Sequence, residues 1–208
     1  MAKLYFRYGA MGASKTANAL MLRYNYEEKG KNAILIKPLT DTRDGKYMIR
    51  SRIGLRHPCH NIDYLKNFIA DVKSSFGDRW RETISDSVDI IISDESQFFT
   101  EEEIDFLSSI VDDFDIPVVC YGLRTDFKGN LFPASARLLA LADVIEEVPT
   151  ICWCGRKAQM NARVINGVVV REGEQIVLGS NDLYVGLCRK HFNEGKLCRT
   201  PLEEIFPE

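Results

Sequence analysis

No apolar run in this chain approaches the roughly 20 residues that a membrane-crossing helix needs, so nothing in the sequence argues for a place in a bilayer. The opening stretch MAKLYFRYGAM is interrupted by Lys3 and Arg7 and is too short for the apolar segment of a secretory signal, which makes the cytoplasm the expected location. An excess of one charge is lacking too. With 27 Lys and Arg against 30 Asp and Glu, the formal net charge is -3, and a pI near 5.7 gives no global attraction for nucleic acid or an anionic membrane. No internal repeat and no low-complexity stretch occurs, which removes solenoids and flexible linkers from consideration. Cysteines are few and unevenly placed: Cys59 and Cys120 stand alone, whereas Cys152, Cys154, Cys188 and Cys198 fall in the last third. In a reducing compartment that skew argues for a metal site rather than disulfides.

What is present is a globular composition, 45% hydrophobic over 208 residues, long enough for one well-cored domain and a smaller appendage. Residues 3–8 (KLYFRY) alternate as a strand does, and residues 16–28 carry apolar side chains at helical spacing. AILIKP (33–38) reads as a buried strand and the polar, turn-rich segment 40–60 as a mobile connection. A helix is expected from an Asn61 cap through residue 76, and a buried strand over VDIIIS (88–93). TEEEIDFLSSIVDD (100–113) opens with Thr100 and Glu103 at capping-box spacing. Strand PVVCYGL (117–123), helix SARLLALA (135–142) and strand DVIEEV (143–148) complete the rhythm, which implies a parallel sheet flanked by helices. After Pro149 the texture changes to a β-rich unit with an Asn-Gly hairpin turn at 166–167, so domains are expected at 1–149 and 150–208.

Residues 8–16, YGAMGASKT, follow the first strand and match the phosphate-loop pattern G-x-x-x-x-G-K-[ST] at Gly9, Lys15 and Thr16, with Ser14 where the second glycine belongs. Such a loop aims backbone N–H groups at phosphate oxygens, its Lys reaches the β and γ phosphates, and its Thr offers a hydroxyl to Mg²⁺. An ordinary strand-to-helix turn would read the same in isolation. A right-handed helical conformation at Ser14 would make serine harmless there. IIISDE then places Asp94 at the end of a buried strand, where phosphate-loop enzymes hold their metal, although an acidic helix start is the plainer reading of Asp94 and Glu95. If Asp94 faces the metal, strand alternation turns Glu95 to the opposite side, as a general base for a hydroxyl or for water.

The segments DTRDG (41–45), DESQFF (94–99), YGLRTDFKGNLF (121–132) and GEQIVLGSNDLYVGLCRKH (173–191), with the loop at 9–16, resemble the cytosolic, zinc-containing thymidine kinase family over nearly the whole chain. The resemblance implies a recombinase-like nucleotide-binding core with a small zinc-binding lasso. It implies transfer of the ATP γ-phosphoryl group to the 5′-hydroxyl of thymidine or deoxyuridine, in homotetramers inhibited by thymidine triphosphate. Carried over, the catalytic base falls on Glu95 and the magnesium contacts on Thr16 and Asp94. ATP contacts fall on Gly9, Ala10, Met11, Gly12, Ala13, Ser14, Lys15, Thr16, Asp94, Glu95, Ser96 and Gln97. The nucleoside pocket falls on Met11, Phe98, Leu123, Phe127, Phe132 and Tyr184, with Val177, Leu178, Gly179, Ser180 and Asn181 closing over the base through backbone groups. From the residues alone the aromatics read as core. Arg43 matches a family arginine near the phosphates; a surface ion pair is the plainer reading.

Cys152 and Cys154, then Cys188 and His191, have the spacing of a closed tetrahedral structural Zn²⁺ site, with Cys198 as the alternative to Cys154. Two other functions fit parts of the pattern. One is a phosphate-loop NTPase using water, and the other is a zinc-ribbon nucleic-acid-binding protein with a vestigial loop.

Overall fold

The computed structural model describes residues 1–175 and 183–198. β1 (Leu4–Tyr8) leads into α1 (Lys15–Glu27), and β2 (Ala33–Ile36) into a short antiparallel pair, β3 (Met48–Arg50) and β4 (Arg56–Pro58). Then follow α2 (Ile62–Phe76), α3 (Trp80–Ser87), β5 (Ile90–Ser93), α4 (Glu101–Phe114), β6 (Val118–Gly122), α5 (Pro133–Leu141) and β7 (Val144–Glu147). The last third holds β8 (Met160–Ile165), β9 (Val168–Val170), β10 (Leu183–Leu187) and α6 (Arg189–Glu194).

Five strands form one sheet in the order β2-β5-β6-β1-β7, every neighbouring pair parallel. Strand alternation sends side chains into two cores. Along β5, Ile91 packs with Leu4, Phe6 and the apolar faces of α2, α3 and α4, while Ile90 and Ile92 pack with Ala19 and Leu20 of α1 on the other face. Burial of each such side chain stabilises the fold by about 1.5–3 kcal/mol, which is why short strands with no polar face persist here. The helix starts follow local chemistry. Asn61 Oδ1 accepts from Tyr64 N–H at 3.0 Å, and Thr100 and Glu103 complete the expected capping box.

Residues 40–60 hold more regular structure than their polar composition suggests. Lys37, 1% exposed, donates from Nζ to Gly45 O (2.7 Å) and Met48 O (2.9 Å) and lies 3.8 Å from Asp41 Oδ2. A buried ammonium needs such partners, and satisfying it pins the loop before β3 against the sheet edge. Residues 77–87, not assigned from sequence, form a 3₁₀ turn and α3.

β10, β8 and β9 form a separate antiparallel sheet in that order. Asn166 (φ 50°) and Gly167 (φ 78°) take the positive angles a two-residue hairpin requires. Its small core includes Cys152, Ala162, Leu187, Cys188, Phe192 and one residue from the first strand-to-helix loop, Ala10.

Candidate active site

The loop between β1 and α1 is tightly wound. A Cβ at Gly9 would lie 2.4 Å from Val148 O and 2.8 Å from Ala13 Cβ, so only glycine fits there. Gly12 has φ 82°. Ser14 does not take the right-handed conformation expected for it: it sits at φ 56°, ψ 23°, in the left-handed region, and its side chain caps nothing. The position demands what a glycine supplies, and serine holds it under strain. Lys15 is buried and donates from Nζ to Gly9 O and Ala10 O, both at 3.0 Å. Burial pushes its ammonium pKa down, against the opposing pull of Glu95 and Asp94.

Asp94, 4% exposed, follows β5 directly and accepts from the Thr16 hydroxyl at the first turn of α1. Its burial, and next the charge of Glu95, push its carboxyl far above the usual carboxylate range, to about 7. Thr16 and Asp94 together present oxygen donors of the kind Mg²⁺ takes.

Glu95 departs from the expected alternation. Its backbone is left-handed (φ 52°, ψ 36°), so the chain turns after Asp94 and both carboxylates face one cavity instead of opposite sides. Its Oε1 pairs with Arg43 Nη2 at 2.6 Å, and its Oε2 accepts from Gln97 Nε2 at 2.6 Å. Arg43 also bonds Asp41 Oδ1 through Nε at 2.8 Å. Burial works against the Arg43 charge, but Glu95 and Asp41 outweigh it and its pKa rises. Gln97 is anchored in turn: its Oε1 accepts from Leu123 N–H at 2.9 Å. Ser96 is buried beneath, its hydroxyl 2.5 Å from that of Ser93.

β6 lies between β1 and β5 and ends at Gly122, where a Cβ would meet Gln97 Oε1 at 2.9 Å. The cavity has a volume of about 520 Å³ and is lined by residues 11–17, Asp94, Glu95, Arg43 and the segment 48–53. Sequence reading missed that last segment. Its signal was the closely spaced Arg50 and Arg52 in a chain of slightly acidic balance.

Of the nucleoside-pocket candidates, Met11 lines this cavity. Phe98 and Phe132 meet edge to face at 5.9 Å, and Leu123, Phe127 and Phe132 are buried, so they also pack as core side chains. Tyr184 lies on β10 opposite Arg163. Val177, Leu178, Gly179, Ser180 and Asn181 fall outside the described residues.

Cys152, Cys154, Cys188 and His191 converge, their ligand atoms all within 4.8 Å of one another. Cys152 Sγ is 3.5 Å from His191 Nδ1, and Cys154 Sγ is 4.0 Å from Cys188 Sγ. A tetrahedral ion with bonds of about 2.0–2.3 Å would hold such atoms about 3.3–3.8 Å apart, so the four fit one ion after small shifts. Cys198 is exposed and outside this group. The Trp153 ring stacks on His191 at 4.2 Å and fixes its plane.

The chain is 44% identical to a thymidine kinase of Idiomarina loihiensis, over 93% of this chain and 97% of that protein. It is 41% identical to one from Francisella tularensis subsp. tularensis, over 94% and 98%. Among solved structures, domain III of the Thermotoga maritima replication initiation protein DnaA overlaps 73% of this chain and 57% of that one, with a TM-score of 0.40 and 17% identity, too loose a likeness to carry an argument. The family model described as thymidine kinase matches residues 2–192, and with these relatives it shows that the chain belongs to the thymidine kinase family.

Proposed function

We infer that the protein is an ATP-dependent thymidine kinase, transferring the γ-phosphoryl group of ATP to the 5′-hydroxyl of thymidine, and of deoxyuridine, in pyrimidine salvage. The observation that carries this reading is the meeting of Thr16, Asp94, Glu95 and Arg43 in one cavity at the mouth of the loop 9–16. The N-terminal end of α1 and the loop before it suit the triphosphate, with Lys15 exchanging its two carbonyl partners for phosphate oxygens. Mg²⁺ bound with ATP supplies charge neutralisation on the phosphates, and Thr16 and Asp94 would hold it. Glu95 takes the proton of the attacking 5′-hydroxyl, and Arg43, which pairs with Glu95 in the same cavity, would stabilise the charge on the transferring phosphoryl group.

The residues 177–181, with Tyr184, are proposed to close over the base, excluding water from the transfer. Zn²⁺ on Cys152, Cys154, Cys188 and His191 would hold the ends of the excursion that carries this loop, and the division at 149/150 belongs with the same proposal. A homotetramer, inhibition by thymidine triphosphate, a cytoplasmic location and no nucleic-acid partner complete it. Among the described residues no helix is long and apolar enough to cross a membrane.

Labelled phosphate transfer to a panel of nucleosides tests the substrate. Strong ADP formation without nucleoside would favour a water-using NTPase, and a salt-sensitive gel shift of DNA or RNA would favour a nucleic-acid-binding role. Glu95→Gln is expected to keep ATP-analogue affinity and lose about 10²- to 10⁴-fold in transfer rate. Equal turnover in the variant would refute the assigned base.

A further inference from the structure

Asn161, on β8, is 3% exposed, and both ends of its amide are used. Its Oδ1 accepts from Met11 N–H at 2.8 Å, and its Nδ2 donates to Thr125 O at 2.7 Å. The two partners fix the amide orientation, because a flip would set like groups against each other at both ends. A residue needed only to fill space here could be apolar; a buried amide is tolerated because both of its groups are satisfied.

On the reading above, one of the two segments it joins is the phosphate-binding loop, whose Met11 also borders the nucleoside, and the other lines the nucleoside pocket. Met11 is in the loop 9–16, and Thr125 opens the segment that carries Phe127 and Phe132. Gly186 of β10, the cross-strand partner of Asn161, also meets Met11: a Cβ there would lie 2.6 Å from Met11 O, so the C-terminal sheet touches the loop directly. The bond also turns the Met11 N–H away from the cavity and onto the C-terminal sheet. Neither Asn161 nor Gly186 lines the cavity.

We propose that Asn161 is a positioning residue that fixes the spacing between the phosphate-binding loop and the nucleoside-lining segment, and so keeps the 5′-hydroxyl rather than water in line with the γ-phosphoryl group. This rests on the thymidine kinase reading. Alignment errors of about 1 Å cost about 10²-fold in rate, whereas affinity for each substrate depends mainly on contacts within its own segment.

The test uses the full chain, with Asn161→Leu, which has the same branching but more bulk and makes neither bond, and Asn161→Asp, which keeps an acceptor for Met11 N–H and loses the amide donor to Thr125 O. In Asn161→Leu we expect kcat to fall about 10- to 100-fold, KM for ATP and for thymidine each to stay within about 3-fold, and ADP to be formed in excess of dTMP. Asn161→Asp should fall between Asn161→Leu and wild type. The ADP to dTMP ratio is read per turnover, so a fraction of unfolded protein does not alter it. A ratio unchanged from wild type in both variants would overturn the proposal. Amide exchange at Met11 tests the clamp separately from catalysis: faster exchange in Asn161→Leu is expected, and exchange as slow as in wild type would overturn it. Wild-type protein that makes no dTMP would instead count against the thymidine kinase reading.

Discussion

Replacing Ser14 with glycine should stabilise the protein, and the size of the gain follows from backbone geometry. Ser14 holds φ 56°, ψ 23°, and its hydroxyl makes no cap bond to α1, so its removal sacrifices no polar contact of the helix. An L-residue in this region is penalised by about 1–2 kcal/mol. Glycine removes the penalty but gives the unfolded chain more freedom, a loss of about 0.4–1 kcal/mol. The difference lies between about 0 and 1.6 kcal/mol and centres on a net gain of about 0.8 kcal/mol. In a chain of this size about 1 kcal/mol moves Tm by about 2–4 °C, so Ser14→Gly should melt about 1–4 °C higher by scanning calorimetry. Ser14→Ala is the control, since it discards the hydroxyl and keeps the Cβ. An equal rise in Ser14→Ala, or no rise in Ser14→Gly, would refute the strain argument.

Lys37→Met leaves Asp41 without its buried ammonium and two carbonyls without a donor, so denaturant titration should show a loss of about 3 kcal/mol; a loss below about 1 kcal/mol would contradict the pinning role. For Asp94, burial and then Glu95 raise the carboxyl to about 7, so the folded state gains a proton site. The stability this contributes is full near the ordinary carboxylate value and fades as pH climbs through about 7. Nucleotide-free Asp94→Asn should therefore gain on wild type between about pH 5 and pH 8 in thermal melts, and a constant difference would refute the sign. Metal analysis of purified protein should find one zinc per chain in wild type and in Cys198→Ser but much less in Cys154→Ser; loss in Cys198→Ser instead would reassign the ligand.

The features legible in the sequence were those set by local chemistry. Thr100 with Glu103, Asn61 ahead of its helix, and Asn166-Gly167 each specify their geometry through neighbours in the chain. The apolar runs at 90–93 and 118–122 likewise have few alternatives to a buried parallel strand. What escaped depends on partners distant in sequence. The β3–β4 pair is anchored by a lysine that reads as an interruption of an apolar run, and α3 packs on Phe114 through Trp80. Ser14 and Glu95 escaped differently, because both occupy backbone regions that favour glycine and their residue types give no warning. Asn161 has no motif around it; only the folded chain brings Met11 and Thr125 to either end of its amide.

Because β6 is inserted between the strand that ends at the loop and the strand that ends at Asp94, two interstrand steps, about 9–10 Å, separate those two ends. The sheet thus acts as a ruler whose length no cleft side chain can adjust. At its middle graduation stands Gly122, which contributes no functional group and has no room for one. Lengthening that residue by a single methyl would push the acidic turn outward and behave, in kinetics, like handing the enzyme a nucleotide of the wrong reach.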